Sequence, residues 1–350
     1  MNTSNSFKNT VNLTFENKLS IYDHISNNLN EDGKLNLKGY KLPDDHFVNK
    51  NDTSNDFYTN LETIIKSRIS NKENDIQLAN YIKKISLNST AEDKIKFYEI
   101  AINSNISYII DNIYREIKRL NIKINKNLYD WIEFLTFKSP HREAVKLGVS
   151  LIGIFHMDVF KEKIKILATH DEFSLIVFKS LSFMNIDFET ELFELAKKVD
   201  GWGRIQLVEL LSKTNNKNIK HWILTKGYKN NIMYDYLALL AANCGDLNKE
   251  LSKDVVDKEI LIAARDIIEA LILETNLVGI SVYPYAAKTI ELFIKNTIND
   301  SAIYGYRIYK YIYKYVTDEK KDWDFYKENG WTNENRKKIA RTLEKYQLIS

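Results

Sequence analysis

The stretch VFKEKIKILATHDEFSLIVFKSLSFMNID, residues 159–187, stacks on the stretch that follows it, FETELFELAKKVDGWGRIQLVELLSKTNN, residues 188–216. In each, apolar residues recur at helical spacing over a shorter segment, a break of a few residues, and then a longer segment. Units of the same form lie at 128–158 and 217–247. A period of about 30 residues is typical of helical-repeat proteins. The pattern therefore predicts four consecutive helix pairs.

Leucines recur at matching positions of these units. The equally spaced leucines of the second helix are Leu181, Leu210 and Leu239, and nearly equivalent ones of the first helix are Leu167, Leu195 and Leu224. A helix pair of this size cannot bury both of its faces alone, so it must stack on its neighbours. The sequence thus predicts an α-solenoid.

The segment SPHREAVKLGVSLIGIF, residues 139–155, resembles the second helix of a HEAT repeat, with Arg142 near its start and small residues inside. Over about residues 58–316 the chain is similar to HEAT-like and armadillo-like α-solenoids, with units shorter than the roughly 40 residues of a HEAT repeat. The resemblance implies an all-α fold, a right-handed α-solenoid of HEAT-like helix pairs with a C-terminal helical cap. It also implies partner binding rather than a particular chemistry.

The chain divides by composition into three parts. Residues 1–56 are polar and predict an irregular N-terminal arm, in which Gly39 and Pro43 favour a short hairpin or a loop over 37–46. Residues 57–321 form the repeat region, which starts with the helical pattern LETIIKSRI at 61–69. Residues 322–350 combine a turn at Gly330 with one apolar helical stripe, which predicts capping helices.

Local signals place several helix starts. Ser89–Glu92 has the form of a capping box, and Pro140 suits the first turn of a helix. In IYGYRIYKYIYKYV, residues 303–316, Arg307, Lys310 and Lys314 fall on one arc of a helix and the isoleucines on the opposite arc. This interleaving could serve nucleic-acid binding, but it is more typical of an amphipathic helix with a solvated basic face.

Composition narrows the possible classes of protein. Fifty basic residues against forty-seven acidic ones give a net charge of only +3, which is small for a dedicated nucleic-acid binder. The single cysteine cannot form an internal disulfide, and MNTSNSFKNT lacks the pattern of a signal peptide. No apolar stretch approaches the roughly 20 residues of a membrane span. We expect a cytoplasmic protein with no membrane partner.

No catalytic or metal-binding signature is evident. His141, His156 and His170 lack the i, i+3 or i+4 spacing of a helical metal site, and Cys244 ends a very apolar segment. GWGR, residues 201–204, has neither a preceding strand nor the lysine of a phosphate loop. We predict no catalytic residue, no cofactor and no metal, and we interpret Cys244 as a small buried hydrophobe.

Arg204 and Asp235 lie among apolar residues on their predicted helices. Because an unpaired buried charge is very costly, the pattern predicts a structural ion pair across the repeat interface. The alternative is a buried carboxylate tuned for acid–base chemistry.

An aromatic residue on a polar helix face marks the candidate binding region. Trp202 shares its face with Gln206, and the next long helix has no obvious polar side. We predict a partner-binding patch, since such apolar patches commonly mark partner sites. Its residues are Trp202, Gln206, Tyr228, Met233 and Tyr234. The alternative is an aromatic side chain that packs on the preceding loop.

Two functions compete on this basis. The first is a non-enzymatic helical-repeat scaffold, of which an adaptor or bacterial immunity protein is one variety, with a protein or peptide partner on its concave face. The second is a nucleic-acid-binding protein, because DGWGRIQLVELLSK, residues 200–213, is similar to Trp- and Arg-bearing helices of HEAT-like DNA alkylation-repair glycosylases. That similarity covers a dozen residues and supplies no matching catalytic aspartate.

Overall fold

The structure is a computed structural model that describes residues 19–45, 74–184, 187–273 and 279–348. Within these ranges the chain is helical, with one isolated antiparallel bridge between Leu29 and Leu35. The predicted all-α class is therefore confirmed for this part of the chain. None of its helices is long and apolar enough to cross a membrane. The predicted helix at 61–69 lies outside the described residues.

The chain divides into two compact units, Met1–Val199 and Asp200–Ser350. This division falls inside the predicted repeat region 57–321, between the two helices of the unit at 188–216. The boundaries 1–56, 57–321 and 322–350 stay predictions.

The first unit is built from nine helices over its described residues. In chain order they are α1 (Ile21–Ser26), α2 (Asn74–Leu87), α3 (Ala91–Ile102), α4 (Ile106–Arg119), α5 (Lys126–Phe137), α6 (Arg142–Ile154), α7 (Lys161–Leu167), α8 (Asp171–Phe183) and α9 (Phe188–Ala196). A 3-10 turn, Asp158–Phe160, leads into α7.

Helix α6 lies at the centre of this unit, packed against α5 and α8. It is buried at every residue from Ala144 to Ile154. Two glycines permit the close approach of its neighbours. A Cβ at Gly148 would lie 2.3 Å from Thr136 Oγ1 of α5, and one at Gly153 would lie 2.6 Å from the carbonyl oxygen of Ser180 in α8. The small residues seen in the sequence thus mark helix contacts.

The described N-terminal segment, residues 19–45, is attached to α6 by buried charges. Asp44 accepts hydrogen bonds from the backbone nitrogen of Arg142 at 2.7 Å and from its guanidinium Nη2 at 2.9 Å. The side chains are only 5% and 14% exposed. Burial lowers the pKa of Arg142, but the Asp44 hydrogen bond and the Glu172 charge raise it more, so the pKa lies above its ordinary value. The guanidinium therefore stays charged.

The same network extends through α4, α6 and α8. Lys146 Nζ donates to Glu143 Oε1 at 2.7 Å and pairs with Glu172. The other oxygen of Glu143 accepts the amide hydrogen of Ile106 at the start of α4, at 2.7 Å. Burial lowers the pKa of Lys146, but the two carboxylates raise it more. Buried charges of this kind are stable only when each has its partners.

The segment 19–45 also contributes apolar contacts. Helix α1 packs against α5 and α7 and buries Ile21 and Ile25. Residues 37–45 form turns, which agrees with the loop and not with the hairpin among the two alternatives predicted for 37–46, and the isolated bridge lies upstream.

The second unit also contains nine helices over its described residues. In chain order they are α10 (Gly201–Leu211), α11 (Lys217–Trp222), α12 (Tyr234–Cys244), α13 (Leu247–Leu251), α14 (Lys258–Leu273), α15 (Ala286–Thr297), α16 (Ser301–Tyr304), α17 (Tyr306–Val316) and α18 (Asn333–Lys345). A π turn, Ile223–Gly227, continues α11, and 3-10 turns lie at Ile280–Val282, Ile298–Asp300 and Lys327–Asn329. Helix α14 is central, because it contacts α12, α13, α15 and α17.

Each of the four predicted units contains a shorter helix followed by a longer one. These are α5 and α6, α7 and α8, α9 and α10, and α11 and α12. The two helices pack on each other in the first two of these units, α5 with α6 and α7 with α8. Among the leucines predicted for the first helices, Leu167 and Leu195 are buried, and so is Leu224, which lies in the π turn after α11. Those of the second helices are not equivalent, since Leu181 is buried and Leu210 is 39% exposed. Equal spacing therefore did not identify one common core position.

The predicted capping box is displaced by one residue. Thr90, rather than Ser89, is the N-cap of α3: its Oγ1 accepts from the amide of Asp93 at 3.2 Å, and Asp93 Oδ2 accepts from the amide of Thr90 at 3.0 Å. Lys84 fixes this choice by donating to Asp93 Oδ1 at 2.6 Å. Pro140 precedes the N-cap of α6, so it lies outside the first turn.

The amphipathic interpretation of the tyrosine-rich segment is confirmed. Helix α17 buries Ile308, Tyr309, Ile312, Tyr315 and Val316. The cations Arg307, Lys310 and Lys314 are exposed. Gly305, at φ +79°, separates α16 from α17, so the helix begins at Tyr306.

Candidate functional site

Helix α10 carries a buried arginine that holds the neighbouring chain. Arg204 is only 5% exposed and shares its helix face with buried Leu207 and Leu211. Its Nη1 donates to the carbonyl oxygens of Lys229, at 3.2 Å, and Lys226, at 3.5 Å. Its Nη2 lies 3.2 Å from Asp200 Oδ1, and the guanidinium carbon lies 5.8 Å from the ring centre of Trp222.

These carbonyl acceptors belong to an unusual piece of backbone. The π turn Ile223–Gly227 extends α11 by one wide turn, and Lys226 is part of it. Such turns are rare and occur frequently at functional sites. Because Arg204 binds carbonyls on both sides of the end of this turn, it fixes the chain from α11 toward α12.

Asn230 makes a second set of hydrogen bonds that holds the first residue of α10. Asn230 Oδ1 accepts from the amide of Gly201 at 2.8 Å, while its Nδ2 donates to the carbonyls of Gly201 and Ile232, each at 3.0 Å. The next residue, Met233, has a left-handed backbone (φ +44°) and is the N-cap of α12. A non-glycine residue in this conformation costs of order 1–2 kcal/mol, which the surrounding contacts must offset. Trp202, directly after Gly201, is thereby placed near the start of α12.

The structure corrects the prediction that Tyr228 belongs to the exposed patch. Its side chain is fully buried, so it offers no surface to a partner. The hydroxyl donates to Asp266 Oδ2 at 3.0 Å, and the ring meets that of Tyr234 edge-on at 5.5 Å. Burial and the charge of Asp266 raise the pKa of Tyr228 above its ordinary value. The residue is the C-cap of the π turn and lies between that turn and Asn230.

The other four predicted patch residues are half-buried, with part of each side chain open to solvent. Tyr236, which the sequence analysis missed, is half-buried beside them and donates its hydroxyl to Glu209 of α10. The available signal was its position in the same apolar segment, two residues after Tyr234. We call this set the Trp202 patch: Trp202, Gln206, Met233, Tyr234 and Tyr236.

The two tyrosines of the Trp202 patch are neutral at physiological pH. Burial and then the Asp266 charge raise the pKa of Tyr234 to about 12. Burial and then the Glu209 hydrogen bond raise that of Tyr236 to about 12. Both therefore present phenol groups, which combine an apolar ring with one hydrogen-bonding hydroxyl.

The predicted ion pair between Arg204 and Asp235 stays a prediction. Arg204 is buried as expected, whereas Asp235 is half-buried in the first turn of α12. The carbonyl acceptors and Asp200 already give Arg204 partners that the sequence pattern did not suggest.

The histidines and the cysteine singled out in the sequence lie in separate settings. His141 Nδ1 is 2.9 Å from the Tyr98 hydroxyl, and His170 Nδ1 accepts the amide hydrogen of Glu172 at 3.1 Å as the N-cap of α8. Cys244 is buried, and burial raises the pKa of its thiol. Within the described ranges no three His, Cys, Asp or Glu side chains are grouped to hold a metal ion.

The arrangement around Arg204 joins a rigid backbone to a partly open aromatic surface. Indole, thioether, phenol and amide groups lie on two helices that Asn230 and Arg204 hold in place. Such a surface can bind by burial of apolar area and by hydrogen bonds from the hydroxyl and amide groups. Comparisons of the chain with protein-family models, with curated proteins and with solved structures found no match.

Proposed function

We propose that this chain is a non-enzymatic helical-repeat protein that binds a protein or peptide partner through the Trp202 patch. The observation that supports it most directly is the hydrogen bonding of Asn230 and Arg204, which fixes the backbone next to the patch. Asn230 joins the residue before Trp202 to the residue before Met233, and Arg204 holds the backbone that leads to them. Partly exposed aromatic residues on a fixed backbone are what a binding surface requires.

Two physical arguments favour this role. Tryptophan, tyrosine and methionine are enriched in protein interfaces, and tryptophan and tyrosine supply a large share of the binding energy. A patch that is already ordered loses little conformational entropy when a partner binds, so more of the contact energy appears as affinity. The left-handed Met233 indicates that this order is maintained against a local backbone cost.

The proposal includes the architecture that the repeats suggest. We propose that the helix pairs from α5 to α12 stack as a right-handed, HEAT-like solenoid, capped by α18 and located in the cytoplasm, with the Trp202 patch on its concave face. The order of shorter and longer helices and the buried leucines of the first helices support it.

The test compares Trp202→Ala with Val255→Ala in the full chain. Val255 is 87% exposed and lies in the same unit, so its substitution serves as a matched control for lost apolar surface. Proteins of the native extract that co-purify with wild type are identified, and the recovered partner is titrated by calorimetry. We expect Trp202→Ala to weaken binding by about 30-fold, the effect of an interface hot spot of about 2 kcal/mol.

Two results would contradict the proposal. One is a partner that binds both variants and wild type equally. The other is a gel shift of nucleic acid at moderate salt that Trp202→Ala abolishes, which would favour the nucleic-acid function instead.

A further inference from the structure

We propose a second binding site, a groove between α15 and α18 that takes an acidic peptide with interspersed apolar side chains. Two adjoining hollows, of about 390 and 490 Å³, lie between these helices and share Lys288, Glu291 and Lys338. Together they follow the length of α15, which at 1.5 Å per residue is about 18 Å. An extended peptide of about five or six residues has that length.

The walls of the groove combine apolar and cationic groups. Ile298 is half-buried in the first hollow, and Tyr346 closes that end with 48% of its surface exposed. Tyr285, 59% exposed, lies at the other end. Between them Lys288, Lys295 and Lys338 are exposed at the rim. The groove therefore offers apolar anchors and ammonium groups within one short path.

The charged groups that line the groove have a small excess of positive charge. They are Lys288, Lys295 and Lys338 against Glu291 and Glu328, a formal charge of +1. Because Glu291 already pairs with Lys338, Lys288 and Lys295 are the lysines that face the first hollow without a glutamate partner among the lining ion pairs. An acidic ligand is thus the one whose charge complements this groove.

The shared centre of the two hollows is an exchangeable ion pair. Lys338 Nζ lies 3.2 Å from Glu291 Oε2; the lysine side chain is 66% exposed and the glutamate side chain 17%. Because the ammonium group is open to solvent, a carboxylate of a bound peptide can approach Lys338 and replace Glu291 as its partner. Glu291 then competes with the ligand for Lys338, so replacing Glu291 should increase the affinity for an acidic peptide.

The same glutamate distinguishes a peptide from a nucleic acid. Glu291 and Glu328 both line the groove and would repel a continuous phosphate backbone. A peptide can place apolar side chains beside Ile298 and Tyr346 and its carboxylates beside the lysines. We therefore assign the groove to a peptide.

The experiment measures fluorescence anisotropy of the full-length protein with three labelled probes. They are a peptide of three Glu-Glu-Leu-Phe repeats, one of three Glu-Glu-Ser-Gly repeats, and a twelve-nucleotide oligothymidine. We expect the first probe to bind, the second to bind more weakly because it lacks apolar anchors, and the oligonucleotide not to bind. Added salt should weaken the first complex, since its ionic contacts are exposed.

Three variants locate the binding. Glu291→Gln should tighten the first probe and Lys338→Gln should weaken it, each by about fivefold, the scale of one exposed ion pair. Lys337→Gln removes the same charge from the neighbouring exposed position, which does not line the groove, and should leave the affinity within about twofold. Trp202→Ala should also leave the affinity for the first probe unchanged. The test of the groove and the test of the proposed function can therefore fail independently of each other.

Several outcomes would overturn the assignment. They are no binding of the first probe, tighter binding of the oligonucleotide, equal loss in Lys337→Gln and Lys338→Gln, or weaker binding in Glu291→Gln. Circular dichroism melting of each variant shows whether it is folded, and the exposed positions of the two lysines lead us to expect unchanged melting.

Discussion

Arg204 is the residue on which the backbone around the Trp202 patch depends most. Arg204→Ala should destabilise the protein by about 2–4 kcal/mol, because it removes the hydrogen bonds of a buried guanidinium to the Lys226 and Lys229 carbonyls and opens a cavity. Arg204→Lys should recover little of this, since one ammonium cannot reproduce the fork that reaches the Lys226 and Lys229 carbonyls and Asp200. Urea unfolding of the three proteins measures the difference.

A double-mutant cycle separates the partners of Arg204. If the predicted pair with Asp235 exists, the losses from Arg204→Ala and Asp235→Ala should not add. Strictly additive losses would show that Asp235 does not interact with Arg204. An unchanged urea midpoint for Arg204→Ala would show that the hydrogen bonds of Arg204 do not stabilise the fold.

Single residues were predictable where helical periodicity decides burial. The face of Arg204 followed from its spacing to Leu207 and Leu211, and all three are buried. Its carbonyl partners could not be predicted, because the π turn and the left-handed Met233 arise from tertiary contacts rather than from a local pattern. Tyr228, the C-cap of the π turn, is fully buried, and no local pattern indicated this.

At the scale of the element, the start of α3 has a pH dependence. Hydrogen bonds from Lys84 and from the Thr90 amide lower the pKa of Asp93 to about 2. A carboxylate with a lowered pKa stabilises the fold above its unfolded value of about 3.9, and this contribution is lost as the pH falls toward about 2. Asp93→Asn should therefore lower the melting temperature at pH 7, by an amount that shrinks below about pH 4.

The control for this prediction is Glu99→Gln, an exposed carboxylate on the same helix. It should leave the melting temperature nearly unchanged at every pH. A constant difference between Asp93→Asn and wild type from pH 7 to pH 2 would show that the charge of Asp93 does not stabilise α3.

Helices were predicted better than their ends. The alternation of shorter and longer helices from α5 to α12 and the buried face of α17 follow from apolar spacing, because periodicity is set by the face each helix buries. The start of α3 was displaced by one residue because the segment STAED contains two overlapping capping signatures. The choice between them depends on Lys84, on the preceding helix.

At the scale of the whole molecule, the C-terminal residues should be essential to the second unit. Helix α18 packs on α15 and α17, and Trp331, Ile339 and Leu343 are fully buried. Deleting residues 322–350 would expose the apolar faces that these side chains cover, so we expect aggregation or a markedly lower melting temperature. Size-exclusion chromatography and thermal melting test this.

The opposite result of this deletion would contradict the prediction. A truncated chain that stays monomeric with the melting temperature of the full protein would show that residues 322–350 are an appendage. A shorter deletion, beginning after Lys345, is a useful control because, among the residues that the structure describes, it removes only Leu348 from the apolar core.

The division into two units was beyond the reach of the sequence. Apolar periodicity continues from one side of Val199 to the other, since it reports only which local face is buried. Compactness depends on contacts between residues far apart in the chain, and these place the division after the first helix of a predicted pair.

The hydrogen-bonded ion pair between Asp44 and Arg142 also affects the order in which the chain folds during synthesis. The two residues are separated by 98 positions, so Asp44 leaves the ribosome well before its partner exists. At about 5–20 residues per second, the wait is about 5–20 s. During synthesis, α1 and the turns around Leu42 have no surface to dock on until α5 to α8 have been made. The earliest described part of the chain therefore docks only after most of the first unit has been made, and a pause in translation before α6 would lengthen its exposure to proteases and chaperones.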